Sequence, residues 1–348
     1  MKKSVFNYVK SLLILFACLS IAGCVSSDKA GVETITEIGT YKSEHVVIGS
    51  GTEYELSGIL TLPGGVVPQN GFPAAVIVHG SGPGDMDGTV FAYKMYLDIA
   101  DYLSSNGIAV LRYDKRTLTH GLKMLEELGG ALSVYEETIE DVLLAAELLK
   151  TDPRINENRV FIIGHSLGAM LAPRIHVMGA DFAGLILLAG SPRFLLDISL
   201  DQNIDYIENM MEGEEKEAAL ASLVFWDEQV NAIVNLPDEI AQTIYIQSGV
   251  SAYYFKDLYH HPVSAYLQIV NVPFLVMQGS ADFQVKVDKD FEYYQQLLAG
   301  RDNVTFKLYE GLNHMFITST TGYIDEYEIP GNVDLQVLND LARWINTH

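Results

Sequence analysis

Residues 159–178 read RVFIIGHSLGAMLAPRIHVM, and no other stretch of the 348-residue chain constrains its fold as tightly. Val160 through Gly164 are apolar or glycine and include β-branched side chains, which suits a strand buried on both faces. Gly164-His165-Ser166-Leu167-Gly168 follows, and then a helical run from Leu167 to about Met178. A serine on a sharp strand-to-helix turn needs neighbours without Cβ atoms, so that strand and helix can approach each other. The helix aims its first N–H groups at the same place, where an oxyanion can be stabilised. Strand, G-x-S-x-G, helix therefore marks Ser166 as a candidate nucleophile. The bare pattern is expected by chance about 0.1 times in such a chain, so its setting carries much of the argument.

A nucleophilic serine needs partners, and their place can be sought. Ala74 through His79 (AAVIVH) reads as another doubly buried strand, ending in His79-Gly80-Ser81-Gly82-Pro83-Gly84-Asp85. A glycine-rich loop at the carboxyl end of a central strand is where α/β folds bind ligands. Here it can supply the second oxyanion donor, assigned to the backbone N–H of Ser81 beside that of Leu167. A phosphate-binding loop would need a following G-K-[ST], which the sequence lacks. His79 is expected to orient this loop, and Asp85 and Asp87 to stabilise it; a metal site there has little support.

Late in the chain PFLVMQG (273–279) predicts a strand with Asp282 on the loop after it. Residues 304–309 predict the last strand, with His314 just beyond. The order Ser166, Asp282, His314 distinguishes the α/β-hydrolase arrangement from the other serine triads. His314 would move the proton of Ser166 to the leaving group, and Asp282 would hold the imidazole in one tautomer. Asp288 and Asp290 are the alternatives for the acid. Activity is expected to rise as His314 becomes neutral.

The rest of the chain agrees with that order. Strands are predicted at 43–48, 54–62, 74–79, 108–113, 160–164 and 184–189, with helices at 93–106 and 133–151. This alternation predicts an α/β fold: a mostly parallel sheet with helices on both faces. Arg112, Asp114 and Arg116 read as a structural ion network, and 121–130 as a loop or short excursion. From about 191 to 270 the alternation stops. Acidic helical patches at 204–211, 214–225 and 228–234 predict a helical cap inserted after the sixth strand. Its aromatics, including Tyr253, Tyr254, Phe255 and Tyr259, suit a ligand site and cap packing equally. His260 and His261 read as a helix end or surface pair rather than metal ligands.

With these residues in view, the chain resembles the α/β-hydrolase superfamily over residues 43–348. HGSGPGDMDG, IAVLRYDKRT, IIGHSLGAM, QGSADFQV and YEGLNHMF resemble capped bacterial esterases of the serine-aminopeptidase-like and dienelactone-hydrolase-like groups. The resemblance implies a carboxylesterase with no metal or organic cofactor, and Ser166 argues against the cysteine dienelactone hydrolases. A small-molecule ester is then the expected substrate. A serine aminopeptidase is the alternative enzyme, since the acidic cap could hold a substrate ammonium. A non-catalytic binding lipoprotein on the same fold is the reading from another class.

The N-terminus predicts an address. Lys2 and Lys3 precede an apolar run, and Ile21-Ala22-Gly23-Cys24 resembles a bacterial lipobox, in which the cysteine is acylated after cleavage. Residues 1–23 are thus expected to be a signal peptide, 24–42 a tether, and the protein to be held at the cell envelope by lipid on Cys24. The only other cysteine is Cys18, within the signal, so no disulfide framework is expected. The net charge of −23 repels polyphosphate and argues against nucleic-acid partners.

Overall fold

The computed structural model describes residues 36–38, 41–247 and 250–348. The residues read as a signal peptide (1–23), Cys24, and residues 25–35, 39 and 40 of the segment read as a tether lie outside them. Among the described residues no helix is long and apolar enough to cross a membrane.

One nine-stranded sheet organises the larger part of the chain. Its strands are β1 (Thr36–Ile38), β2 (Tyr41–Ile48), β3 (Leu56–Pro63), β4 (Phe72–Val78), β5 (Ala109–Tyr113), β6 (Ile155–His165), β7 (Leu185–Leu188), β8 (Phe274–Gly279) and β9 (Val304–Tyr309). They lie in the order β1-β2-β3-β5-β4-β6-β7-β8-β9. From β5 to β9 the neighbours are parallel, whereas β1, β2 and β3 are antiparallel hairpin partners that join the sheet on β5. The central strands β4 and β7 are apolar at every position because both of their faces are covered, and β5 departs from this near its end with Arg112. Ala75, Ile77, Val110, Ile163, Ile186 and Leu275 face one large cluster closed by helices α1 (Met95–Ser105) and α12 (Leu335–Thr347). The alternate residues Ala74, Val76, Ile162 and Leu187 are equally buried on the opposite face.

The inversion of β4 and β5 in the strand order decides where chemistry can occur. The chain leaves β4 for α1 and β5 on one side, and later leaves β6 for α4 (Leu167–Ile175) and β7 on the other. Val78 pairs with Gly164, so the ends of β4 and β6 are level, and the loops beyond them open a crevice between the strands.

The described residues form two compact units. One comprises Gly121–Glu136 and Arg193–Pro262; the other holds the sheet and its helices. The smaller unit is helical, with α5 (Leu195–Met210), α6 (Gly213–Ser222), α7 (Trp226–Val234), α8 (Asp238–Ala241) and α9 (Ala252–His260). Its longer segment, Arg193–Pro262, follows Leu185–Leu188, the sixth strand of the sequence reading and the seventh of the sheet, because Thr36–Ile38 adds a strand that the sequence does not signal. The segment read as a loop or short excursion is largely helical: α2 spans Arg116–Glu127. Gly121 hides that helix, because glycine in a helix interior costs about 1 kcal/mol and reads as a break. The turn after α2 is tied into the smaller unit, where Ser251 Oγ donates to the Gly130 carbonyl at 2.6 Å. A Cβ on Gly130 would collide with the backbone of Gln242. Tyr254 and Phe255 are buried there and pack the unit itself, whereas Tyr259, edge-on to Phe194 at 5.4 Å, is exposed. His260 ends α9, and His261 lies 3.7 Å from Asp257.

Candidate active site

Ser166 sits between β6 and α4 with φ 54° and ψ −116°, a conformation that costs a non-glycine residue about 1–3 kcal/mol. Its surroundings over-determine it. Ser166 N–H donates to Leu188 O at 2.9 Å, and the Ser166 carbonyl accepts from Ala169 N at 3.0 Å and Met170 N at 3.1 Å. The flanking glycines are required by contact. A Cβ on Gly164 would lie 2.7 Å from Ala169 N, and one on Gly168 would lie 2.7 Å from His79 O. Ser166 is the partly exposed residue of this turn, whereas His165 and Leu167 are buried.

The loop after β4 borders it. A Cβ built on Gly80 would come within 3.1 Å of Ser166 Cβ. Gly80 N–H is already donated to Tyr96 Oη at 3.3 Å, so this amide is committed within the fold. His79 is buried, and burial followed by the charge of Lys115 lowers its pKa to about 4. It is therefore neutral near pH 7, and its Nε2 lies 3.1 Å from Asp85 O, where it braces the loop. Asp85 accepts from Thr89 N at 2.8 Å, Asp114 from Met86 N at 2.9 Å, and Asp87 pairs with Arg112 and with Lys94. Arg116 pairs instead with Asp141 and Glu140, so Arg112, Asp114 and Arg116 serve separate contacts.

Asp282 and His314 meet at the ends of β8 and β9. His314 Nδ1 lies 2.7 Å from Asp282 Oδ2, and both side chains are buried. Asp282 Oδ1 accepts from Gln284 N at 2.8 Å and Val285 N at 2.9 Å, while Oδ2 also accepts from Gln278 Nε2 at 2.8 Å. The carboxylate is thus held at both oxygens, leaving one lone-pair direction for the imidazole. Asp290 is occupied elsewhere, by Ser191 Oγ at 2.5 Å and Lys286 N at 2.7 Å, and Asp288 is exposed. His314 reaches the serine turn through His165: their ring centroids are 4.8 Å apart, and His165 Nε2 lies 3.2 Å from His314 O.

Several residues that hold this arrangement escaped sequence reasoning. Gln278 carried a signal, being a lone polar residue in an apolar strand. Tyr96, Lys115, Asn313 and Glu326 carried none. Asn313 Oδ1 accepts from Met315 N and Ile317 N, and its Nδ2 donates to Glu326 Oε1 at 2.7 Å. Glu326 Oε2 accepts from Ser319 Oγ, Thr320 N, Thr321 N and Gly322 N at 2.8–3.1 Å. One buried carboxylate therefore clamps the loop that carries His314. Among the described residues no group of three or more His, Cys, Asp or Glu side chains is placed to hold a metal ion.

The strand order, the serine at positive φ and the loops that surround it define an α/β-hydrolase. A sequence model of the family described as serine aminopeptidase, S33, matches residues 86–320, and the chain belongs to that family. Esterase EstD of Thermotoga maritima is 37% identical over 298 residues, covering 83% of this chain and 65% of that protein. The chain thus spans just under two thirds of that relative's length. Among solved structures, Est1E from Butyrivibrio proteoclasticus is similar at 15% identity and a TM-score of 0.51, covering 87% of this chain and 98% of that one. An acylaminoacyl peptidase from Pyrococcus horikoshii is similar at 16% identity and a TM-score of 0.55, covering 89% and 42%. At such identities these two are likenesses of fold.

Proposed function

We propose that this protein is a serine hydrolase that cleaves carboxylic esters of small to medium acyl groups, and that it is held at the cell envelope by lipid on Cys24. The observation that carries the catalytic reading is the 2.7 Å contact between His314 Nδ1 and Asp282 Oδ2. It engages Nδ1 and leaves Nε2 as the imidazole nitrogen for a serine proton. Ser166 Oγ attacks the ester carbonyl and its proton passes to His314 Nε2. The oxyanion forms against the N–H groups of Ser81 and Leu167. Collapse breaks the bond to the alkoxy oxygen, which takes the proton from His314 and leaves as the alcohol. Water then attacks the acyl-serine and gives its proton to His314; as the bond from the acyl carbon to Ser166 Oγ breaks, that proton returns to Oγ and the acid is released.

Ester substrates are favoured by the 37% identical relative that is named an esterase. The description of the matched family favours a second reading, cleavage of aminoacyl amides. The test is turnover of p-nitrophenyl esters from acetate to laurate by the domain that follows Cys24, beside an aminoacyl-amide panel. Loss of ester turnover in Ser166→Ala supports the proposal. Turnover of amides alone would favour the peptidase. Failure of a fluorophosphonate to label Ser166 would point to a binding protein. Asp282→Asn should cut kcat by about 10³–10⁴-fold, because the amide favours the wrong tautomer. Labelling of the intact protein by a lipid precursor, lost in Cys24→Ala, tests the anchor.

A further inference from the structure

Lys115 is only 1% exposed, which is unusual for a lysine. Its Nζ donates to Gly80 O at 2.8 Å and to Glu137 Oε1 at 2.5 Å, and its backbone N–H donates to Gly84 O at 2.9 Å. One residue thus grips both ends of the glycine loop. A buried ion pair is a poor way to secure a loop, because both charges must be desolvated and apolar side chains would serve as well. What the pair provides is a cation on one particular carbonyl. In a trans peptide the C=O and the following N–H point in opposite directions. With Gly80 O turned to Lys115, Ser81 N–H points the other way, and Gly80 itself borders Ser166.

We propose that Lys115 is a positioning residue for the oxyanion site: its ammonium orients and polarises the Gly80–Ser81 peptide, making Ser81 N–H a stronger donor. The proposal rests on the reading of Ser166 and Ser81 given above. Hydrogen bonds in series polarise one another in a low-dielectric interior, so a charge-assisted bond at the carbonyl strengthens the one made by the amide. Glu137 balances the charge and keeps the ammonium in place. Lys115 touches no reacting atom; it acts through the peptide.

The test is the double variant Lys115→Met/Glu137→Met, which leaves neither charge buried alone. Wild type and variant are acylated with a 13C=O-labelled cinnamoyl group, and the infrared band of the acyl carbonyl is recorded. A carbonyl held by a weaker donor absorbs at higher wavenumber, so the band should move up in the variant. Alongside it kcat should fall about tenfold, a fraction of what loss of a whole oxyanion donor costs, with KM within about twofold. A merely structural role predicts altered stability with the band unmoved. An unmoved band, whatever happens to kcat, overturns the proposal. A wild-type protein that fluorophosphonate does not label at Ser166 would overturn the esterase reading itself, and this proposal with it.

Discussion

His165 Nε2 lies 3.2 Å from the carbonyl oxygen of His314, so the residue before the serine holds the residue that carries the second imidazole. Burial, and then the neighbouring His314, lower the pKa of His165 well below the ordinary histidine value, so its ring is neutral near pH 7. A carbonyl can only accept, hence the proton is on Nε2 and Nδ1 is an acceptor. Tyr96 Oη, 3.2 Å from Nδ1, must then donate to it, and in turn accepts from Gly80 N–H. The hydrogen bonds run in one direction from the glycine loop, through Tyr96 and His165, to the His314 loop.

Tyr96→Phe breaks this chain in the middle. It leaves a backbone N–H and an imidazole nitrogen buried without a partner, at about 1–3 kcal/mol each before relaxation. The expected outcome is a lower urea midpoint together with a several-fold lower kcat, read from denaturation curves and ester turnover. A variant destabilised but with unchanged kcat would show that the chain matters to folding alone.

His79 links stability to pH. Histidine in an unfolded chain titrates near 6.5, whereas burial and the charge of Lys115 hold His79 at about 4. Between these values the unfolded chain binds the extra proton, so stability falls as pH is lowered. The loss reaches about 3 kcal/mol by pH 4, and His165 adds to it in the same direction. In His79→Gln the drop in unfolding free energy between pH 7 and pH 4.5 should be smaller than in wild type. Equal drops would contradict the buried neutral state of His79.

Glu326 works in the opposite sense chemically and the same sense in pH. Burial raises the pKa of its carboxyl, but the hydrogen bonds from Thr320, Asn313, Ser319 and Gly322 outweigh that and lower it below the ordinary value. Its contribution is therefore present above the unfolded pKa and lost as pH falls through the lowered one. Glu326→Gln should destabilise by about 2–3 kcal/mol at pH 7, since charge-assisted bonds are lost and an amide donor faces backbone N–H groups. The deficit should shrink in strongly acidic solution. Proteolysis of the 313–322 loop, faster in the variant, gives a local check.

Ser166 stores backbone strain that can be measured directly. Ser166→Gly places a residue with no Cβ at φ 54° and should raise stability by about 1 kcal/mol relative to Ser166→Ala, with both variants inactive. Calorimetry of the two side by side decides it. If alanine is the more stable, the turn is held by something other than the backbone conformation described.

The alternation of apolar strands and helices, the glycines around Ser166, and the loops bearing Ser81, Asp282 and His314 can all be read along the chain. Each is a local matter: a strand buried on both faces is apolar throughout, and its end fixes where the next loop begins. Helix α2 was missed where Gly121 interrupted a local pattern, and β1 where three residues were too few to make one. The supporting contacts were illegible for a different reason. Lys115 meets Gly80 across 35 residues because β5 lies beside β4, and His165 meets His314 across 149 because the order β6-β7-β8-β9 brings the loop after β9 back to the end of β6. The residues that end strands are legible along the chain, since burial and backbone geometry act over a few residues. Which strand ends are neighbours is visible in the folded sheet alone, because strand order is set by long-range packing that no local pattern records.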